Sequence, residues 1–325
     1  VIAAPSRPAP ALHLAFAALA ALVMAASARA EASSEIRRAR AEVSLAGFVT
    51  DPRIGEISGL AASRRRNDLW WAHNDSGNPA SLYAITAAGG VVAEYAVDGV
   101  VNRDWEDLAA FDLDGRPWLL VADVGDNGGL RRDVRLILVE EPAIGGATQG
   151  RLRPEWVLTA RWPDGPRDVE SVAVDPERRT IYLLAKRRVP AQLFALPLEA
   201  PASPDEVRTI RQIGTVPGIP QPTPDEIAAS PEIGRWLGQP TAMDRRADGS
   251  FVVLTYRDAY LFLARPDDDA AATLRRTPQR LGLPPMPQAE AIAFDRDGRS
   301  ILATTERLPA PIVRARLGAA ARPRR

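Results

Sequence analysis

The chain has 325 residues, with 41 basic and 41 acidic side chains, two histidines and no cysteine. Zero net charge leaves no electrostatic footprint for nucleic acid, and the lack of cysteine excludes disulfides and thiolate metal sites. Stability must come from core burial and sheet closure, for which a single large domain of this length suffices.

Residues 14–26 are an apolar run followed by Ala28-Arg29-Ala30, a small-x-small cleavage pattern. Such a run is too short to span a bilayer, so residues 1–30 read as a signal peptide of a periplasmic or secreted protein. Cleavage there leaves 39 basic against 41 acidic residues. No later stretch reaches the length of a membrane helix, so no membrane insertion is expected after cleavage. Residues 31–42 read as a polar leader, and 42–50 alternate as a strand.

From residue 56 a phrase recurs: polar residues, then a small apolar strand, usually closing on an Asp/Gly turn. It reads Glu56-Ile57-Ser58-Gly59-Leu60, Asp104-Trp105-Glu106-Asp107-Leu108, Asp168-Val169-Glu170-Ser171-Val172, Gln239-Pro240-Thr241-Ala242-Met243 and Gln288-Ala289-Glu290-Ala291-Ile292. Repeats of roughly 50 to 70 residues, each holding several short strands, predict an all-β fold, a β-propeller. Blade one is expected over 57–62, 69–73, 82–86 and 91–97. Blade two takes 106–111, 118–122, 134–139 and 156–162, with insertions at 123–133 and 140–154. Blade three takes 169–174, 181–185, 192–196 and 207–216, followed by a Pro-rich crossing over 217–238. Blade four takes 240–243, 251–255, 260–264 and a strand near 280; blade five takes 291–294, 301–305 and 312–317. Five blades result, or six if the long third interval hides a degenerate one. Blade five lacks a fourth strand, which the N-terminal strand can supply, closing the ring. The propeller is thus expected over 43–317, with a disordered tail over 318–325.

Antiparallel pairing sorts the loops by face. One face carries tight Asp/Gly turns, such as Asp112-Leu113-Asp114-Gly115 and Asp297-Gly298, explained by turn preference alone. The other carries His73-Asn74-Asp75-Ser76, Asp123-Val124-Gly125-Asp126-Asn127, Lys186-Arg187-Arg188, Tyr256-Arg257-Asp258 and Thr305-Glu306-Arg307, joined by Glu56, Asp104, Glu106, Asp168, Glu170 and Glu290. Lys186 is the only lysine, and His73 the only histidine after the first thirty residues. Function-bearing loops gathered on one face mark it as the candidate site.

Glu106, Glu170 and Glu290 hold equivalent positions in three blades, next to the axis. Two carboxylates about 6 Å apart repel by roughly 3 kcal/mol at an effective dielectric of about 20. Three arrangements would relieve this. Calcium takes oxygen ligands, and Asn74, Asp126 and Asn127 would complete its shell around the three glutamates. An ion-pair network with Lys186, Arg187, Arg257 and Arg307 would do the same without metal. A water-filled, partly protonated channel is the third. His73 with Asp75 is placed as a general base, or as a hydrogen-bonded turn residue; Lys186 and Arg257 are placed to meet negative charge. Trp105, between two acidic residues, is expected at the mouth.

The phrases Asp104-Trp105-Glu106-Asp107-Leu108-Ala109, Asp123-Val124-Gly125-Asp126-Asn127 and Glu290-Ala291-Ile292-Ala293-Phe294-Asp295 resemble those of secreted bacterial propellers grouped as phytase-like or esterase-like. The Glu-x-hydrophobic-Ala-x-Asp strand is also similar to calcium-dependent lactonase and phosphotriesterase propellers. Both resemblances imply calcium and ester or phosphoester chemistry; a small-molecule or phosphoester ligand and a monomer are expected. The Asp-Asp-Pro-Ala type motif of β-propeller phytases is missing. A non-catalytic propeller binding a ligand or an envelope protein is the alternative.

Overall fold

A computed structural model describes residues 36–145 and 148–321. The signal peptide expected over 1–30, most of the leader and residues 322–325 of the tail lie outside them. From Arg38 onward the chain forms one compact unit; of the unit before it only residues 36 and 37 are described. Within the tail region, Ala319–Ala321 form a 3-10 turn. Among the described residues no helix is long and apolar enough to cross a membrane.

The strands form a five-bladed propeller. The first strand, β1 (Ala41–Val49), precedes blade one, which is β2 (Ile57–Ala62), β3 (Leu69–Asn74), β4 (Ser81–Thr86) and β5 (Val91–Val97). Blade two is β6 (Trp105–Leu113), β7 (Arg116–Asp123) and β8 (Val134–Glu140); after β9 (Gln149–Leu152) it ends with β10 (Trp156–Arg161). Blade three is β11 (Val169–Asp175), β12 (Thr180–Ala185) and β13 (Ala191–Pro197), then, after β14 (Val207–Thr209), β15 (Arg211–Val216). Blade four is β16 (Pro240–Arg245), β17 (Phe251–Thr255), β18 (Ala259–Phe262) and β19 (Gln279–Arg280). Blade five is β20 (Ala289–Phe294), β21 (Ser300–Thr305) and β22 (Ala310–Leu317).

Strand β1 pairs antiparallel with β22, from Ala41 opposite Leu317 to Val49 opposite Ala310, so the two ends of the propeller close the ring as the sequence implies. The blade-two insertion and the single strand expected over 207–216 behave differently from the sequence reading. Strand β9 leaves blade two and pairs parallel with β5 of blade one, while β14 pairs parallel with β10 of blade two. Ile210, fully buried, donates its N–H to the Arg161 carbonyl at 2.8 Å and separates β14 from β15. Each added strand covers an outer blade edge whose unpaired backbone would otherwise invite association.

Apolar clusters fill the space between adjacent blades: Trp118, Trp162, Val172 and Phe194 between blades two and three, and Trp70, Ile57, Ala291 and Ile312 between blades five and one. The inner strands β2, β6, β11, β16 and β20 pack successively around the axis. All five carry a bulge at the same place: the register shifts between Ile57 and Gly59, Trp105 and Asp107, Val169 and Ser171, Pro240 and Ala242, and Ala289 and Ala291. The extra residues are Ser58, Glu106, Glu170, Thr241 and Glu290. A bulge re-aims a side chain, here once per blade at one level of the channel.

Just below this level Asp107 is completely buried and binds two other blades. Its carboxylate accepts the N–H groups of Val172 on β11 at 2.8 Å and Met243 on β16 at 3.1 Å, besides Leu108 at 2.8 Å. Truncation would strand two buried inter-blade donors. Asp107→Ala is therefore expected to cost roughly 2–5 kcal/mol in denaturant unfolding; a change below 1 kcal/mol would show that Asp107 does not tie the blades.

Candidate functional site

The five bulge residues divide by chemistry. Ser58 donates its hydroxyl to the Glu106 carbonyl at 2.7 Å, and Thr241 donates to the Ala289 carbonyl at 2.7 Å, so both are satisfied by the neighbouring blade. A carboxylate has no proton to donate in this way, and the three glutamates need positive charge or a donor. Glu170 pairs with Lys186 through one oxygen, while its Oε2 is buried with no hydrogen-bond partner. Glu290 accepts the Tyr256 hydroxyl at 2.8 Å. The Glu106 side chain is buried, and no described residue donates to its carboxylate.

Two more rings of equivalent positions surround these residues. Glu56, Asp104, Asp168, Gln239 and Gln288 precede the inner strands; Asp75, Val124, Lys186, Tyr256 and Glu306 follow the second strands. Carboxylate oxygens of Asp75, Asp104 and Glu106 lie within 4.8 Å of one another, as do those of Glu106, Asp168 and Glu170. Glu106 is shared by both groups. The second group carries its own cations, because Arg187 Nε lies 2.6 Å from Asp168 and Lys186 meets Glu170. Among the described residues the first has none in contact: Arg131, whose charge acts on Asp104, is bonded to Asp123 at 2.8 Å.

Gly125 makes this crowding feasible. A Cβ there would overlap the Glu106 carboxylate and come within 2.6 Å of Asp104 Oδ2, so the loop backbone lies directly against both acids. Burial raises the affinity of this cluster for protons. The Glu106 carboxyl is pushed well above the usual range by burial and then by Glu170, Asp75 and Asp104. Burial and Asp75 push Asp104 up to about 6. Glu290 rises to about 7 through burial, against the opposing effect of Lys186 and Tyr256. Burial alone would depress the Lys186 ammonium, but Glu170 and Glu290 outweigh it and raise it.

The other residues singled out in the sequence lie elsewhere. His73 is fully buried, its ring edge-on to Trp105 at 5.4 Å and its Nδ1 3.1 Å from the Asn74 carbonyl. It fills the space beside Gly59, where any Cβ would overlap the imidazole, and burial lowers its pKa to about 4. It therefore has no path to a substrate proton, and Trp105 is core rather than mouth. Asn74 is occupied by backbone, accepting from Glu56 N at 3.1 Å and donating to the Arg53 carbonyl at 2.8 Å. Asp126 closes its own loop, accepting from Leu130 N at 2.8 Å and Arg131 N at 3.0 Å. Asn127 holds Arg187, and Arg257 bonds Glu226 at 2.8 Å and the Pro220 carbonyl at 3.2 Å, away from the acids. Of the catalytic and metal-binding candidates read from the sequence, Asp75, Glu106 and Glu170 come together, with Lys186 and Glu290 beside them.

A cleft of about 690 Å3 opens next to this cluster, lined by Lys186, Tyr256, Arg187, Arg307, Trp236 and Ile233 among others. Trp236 and Ile233 come from the 217–238 crossing, whose prolines mark it as a loop in the sequence while its tryptophan carries no repeat signal. On the opposite face a cavity of about 500 Å3 lies among the tight turns, where acids and bases pair, as in Arg64–Asp112 at 2.9 Å, Arg179–Asp114 at 2.6 Å and Arg245–Asp175 at 2.8 Å.

No protein-family model matches the sequence, and no curated protein does. Among solved structures it is similar to a gluconolactonase from Xanthomonas campestris, with 15% identity and a TM-score of 0.42 over 88% of this chain and 93% of that one. It is also similar to a luciferin-regenerating enzyme, with 11% identity and a TM-score of 0.42 over 87% of this chain and 97% of that one. Likeness this distant leaves activity to be argued from the site.

A carboxyl group that holds its proton more tightly in the folded chain stabilises the fold below its ordinary pKa and loses that contribution as pH rises through the folded value. For Asp104 and Glu290 the window runs from their ordinary 3.8 and 4.5 to about 6 and about 7. Chelator-treated protein is thus expected to melt at a higher temperature at pH 5 than at pH 8. Glu106→Gln should raise the pH 8 melting point, at roughly 2–4 °C per kcal/mol for a domain of this size. Differential scanning calorimetry across pH checks both, and a flat profile in the wild type would contradict the assigned charge crowding.

Proposed function

We propose that the channel mouth binds a hard divalent cation, calcium foremost, and that the protein is a metal-dependent hydrolase of ester bonds. One observation carries this reading: Asp75, Asp104 and Glu106 converge within 4.8 Å with no cation in contact among the described residues, while Asp168 and Glu170 of the neighbouring group have their own cations. The metal and the ion-pair network weighed from the sequence thus occupy adjacent places. The donor set fits the group. Every ligand atom is a carboxylate oxygen, as calcium prefers, and the unsatisfied Glu170 Oε2 beside Glu106 is a further donor. An exported protein, as the N-terminal pattern implies, would meet calcium outside the cytoplasm.

When bound, such an ion supplies Lewis-acid polarisation of a carbonyl and acidifies water. The chain's own groups do the rest. Asp75, Asp104 and Glu106 would hold the ion, and Gly125 leaves them room. Glu170 holds the Lys186 ammonium at the edge of the cleft, and of its three N–H donors only one is needed by Glu170. A second lies by the Tyr256 hydroxyl, and the remaining one would meet negative charge developing on a substrate oxygen. Glu290 orients the Tyr256 hydroxyl on the same wall.

Calcium is expected to raise the melting temperature over chelator-treated protein, by the equivalent of about 2.7 kcal/mol at a hundredfold excess over the dissociation constant. Hydrolysis of aryl esters should need calcium and fall at least a hundredfold in Glu106→Gln, with Gly125→Ala weakening calcium binding. A calcium-dependent shift without turnover of any ester would favour the non-catalytic binding propeller. No shift in calorimetry and no heat of calcium binding would remove the metal.

A further inference from the structure

The 217–238 crossing is a built wall of the cleft. Its short helix (Pro224–Ala229) starts with a reciprocal capping box between Thr223 and Glu226. Gly234 lies so close to Ile227 that a Cβ would come within 2.7 Å of its Cα, and Gly238 approaches the Pro220 carbonyl equally tightly. Arg257, at the exit of β17, fastens the segment to blade four. It binds Glu226 at 2.8 Å and the Pro220 carbonyl at 3.2 Å, and its backbone N–H reaches the Leu237 carbonyl at 3.1 Å. These contacts hold Ile233, 56% exposed, and Trp236 on the cleft wall, where Tyr256 and Pro287 add further apolar surface.

The charges of the cleft point the same way. Lys186 is matched by Glu170, and Arg187 by Asp168 and Asn127; of the other guanidinium groups, Arg307 shares the cleft with Glu232 and Arg235 stacks over the Trp236 ring at 4.5 Å. Beside them stand the Asp75, Asp104 and Glu106 carboxyls, which on ionising around a divalent ion would offset its charge. A phosphomonoester dianion meets no surplus of positive charge here, while an uncharged ester meets no repulsion.

We infer that the substrate is an uncharged carboxylic ester with an apolar acyl arm, selected by Ile233 and Trp236, and not a phosphoester. The inference rests on the hydrolytic reading of the carboxylate cluster for its chemistry, and on the wall and charge balance for its specificity. Arg257 acts as a positioning residue for that wall.

Calcium-loaded protein is assayed with p-nitrophenyl acetate, p-nitrophenyl octanoate and p-nitrophenyl phosphate. The octanoate should exceed the acetate in kcat/KM by roughly tenfold or more, with no turnover of the phosphate. Trp236→Ala, Ile233→Ser and Arg257→Ala should each bring the octanoate-to-acetate ratio toward one, while Trp236→Phe and Arg257→Lys retain most of it; unaltered melting temperatures verify folding. In parallel, octanamide should raise the melting temperature of the wild type with calcium or with chelator, and not that of Ile233→Ser. Octanamide binding without turnover of either ester would keep the apolar-arm assignment and overturn the hydrolytic reading. A preferred phosphate ester, an octanoate preference that survives both Trp236→Ala and Ile233→Ser, or failure of octanamide to bind would overturn the inference.

Discussion

Negative charge concentrated on a shared axis is the constraint around which this propeller is organised. Five inner strands each interrupt their pairing with one extra residue, and the interruption turns that residue toward the channel. Two of the five are hydroxyls that donate to a neighbouring strand; three are glutamates that cannot. Backbone geometry thus places three carboxylates where water is scarce, and each needs a different remedy. Lys186 serves Glu170, Tyr256 serves Glu290, and Glu106 is left to share its surroundings with Asp75 and Asp104. A strained polar cluster of this kind persists only because the surrounding blades over-determine it.

What over-determines it is mostly apolar packing between blades, completed by a few buried polar ties. Asp107, one residue beyond Glu106, spans to β11 and β16 and anchors the strand that carries the buried carboxyl left without a partner of its own. Asp244 plays a related part between blades four and five, accepting the Phe294 N–H at 2.8 Å. The same repeated phrase therefore supplies both the acid that invites a cation and the acid that locks the ring. Their one-residue separation on a bulged strand explains why one faces the mouth and the other the interior.

Much of the architecture was legible because a propeller repeats itself. Each inner strand announces itself with a polar pair and a small apolar run, and the missing fourth strand of blade five pointed directly to β1. The equivalence of Glu106, Glu170 and Glu290 was readable for the same reason. The individual roles were not. Asn74, Asp126 and Asn127 have the composition of ligands but spend their side chains on turns and on Arg187, since short polar side chains bond nearby backbone wherever a loop permits. His73 has the chemistry of a base but fills the gap that Gly59 leaves. Arg257 has the charge to meet an anion but is consumed by the 217–238 wall, which also brings Trp236 to the cleft.

The amino-acid order alone determined the repeat, the closure of the ring and the face on which acidic and basic residues gather, because alternation and turn chemistry act within a few residues. Only the tertiary structure decided which carboxylates share a volume, which already own a cation and which wall lies beside them. Those outcomes depend on distances between blades far apart in the chain, and a few ångströms separate a satisfied ion pair from a buried charge that calls for a ligand.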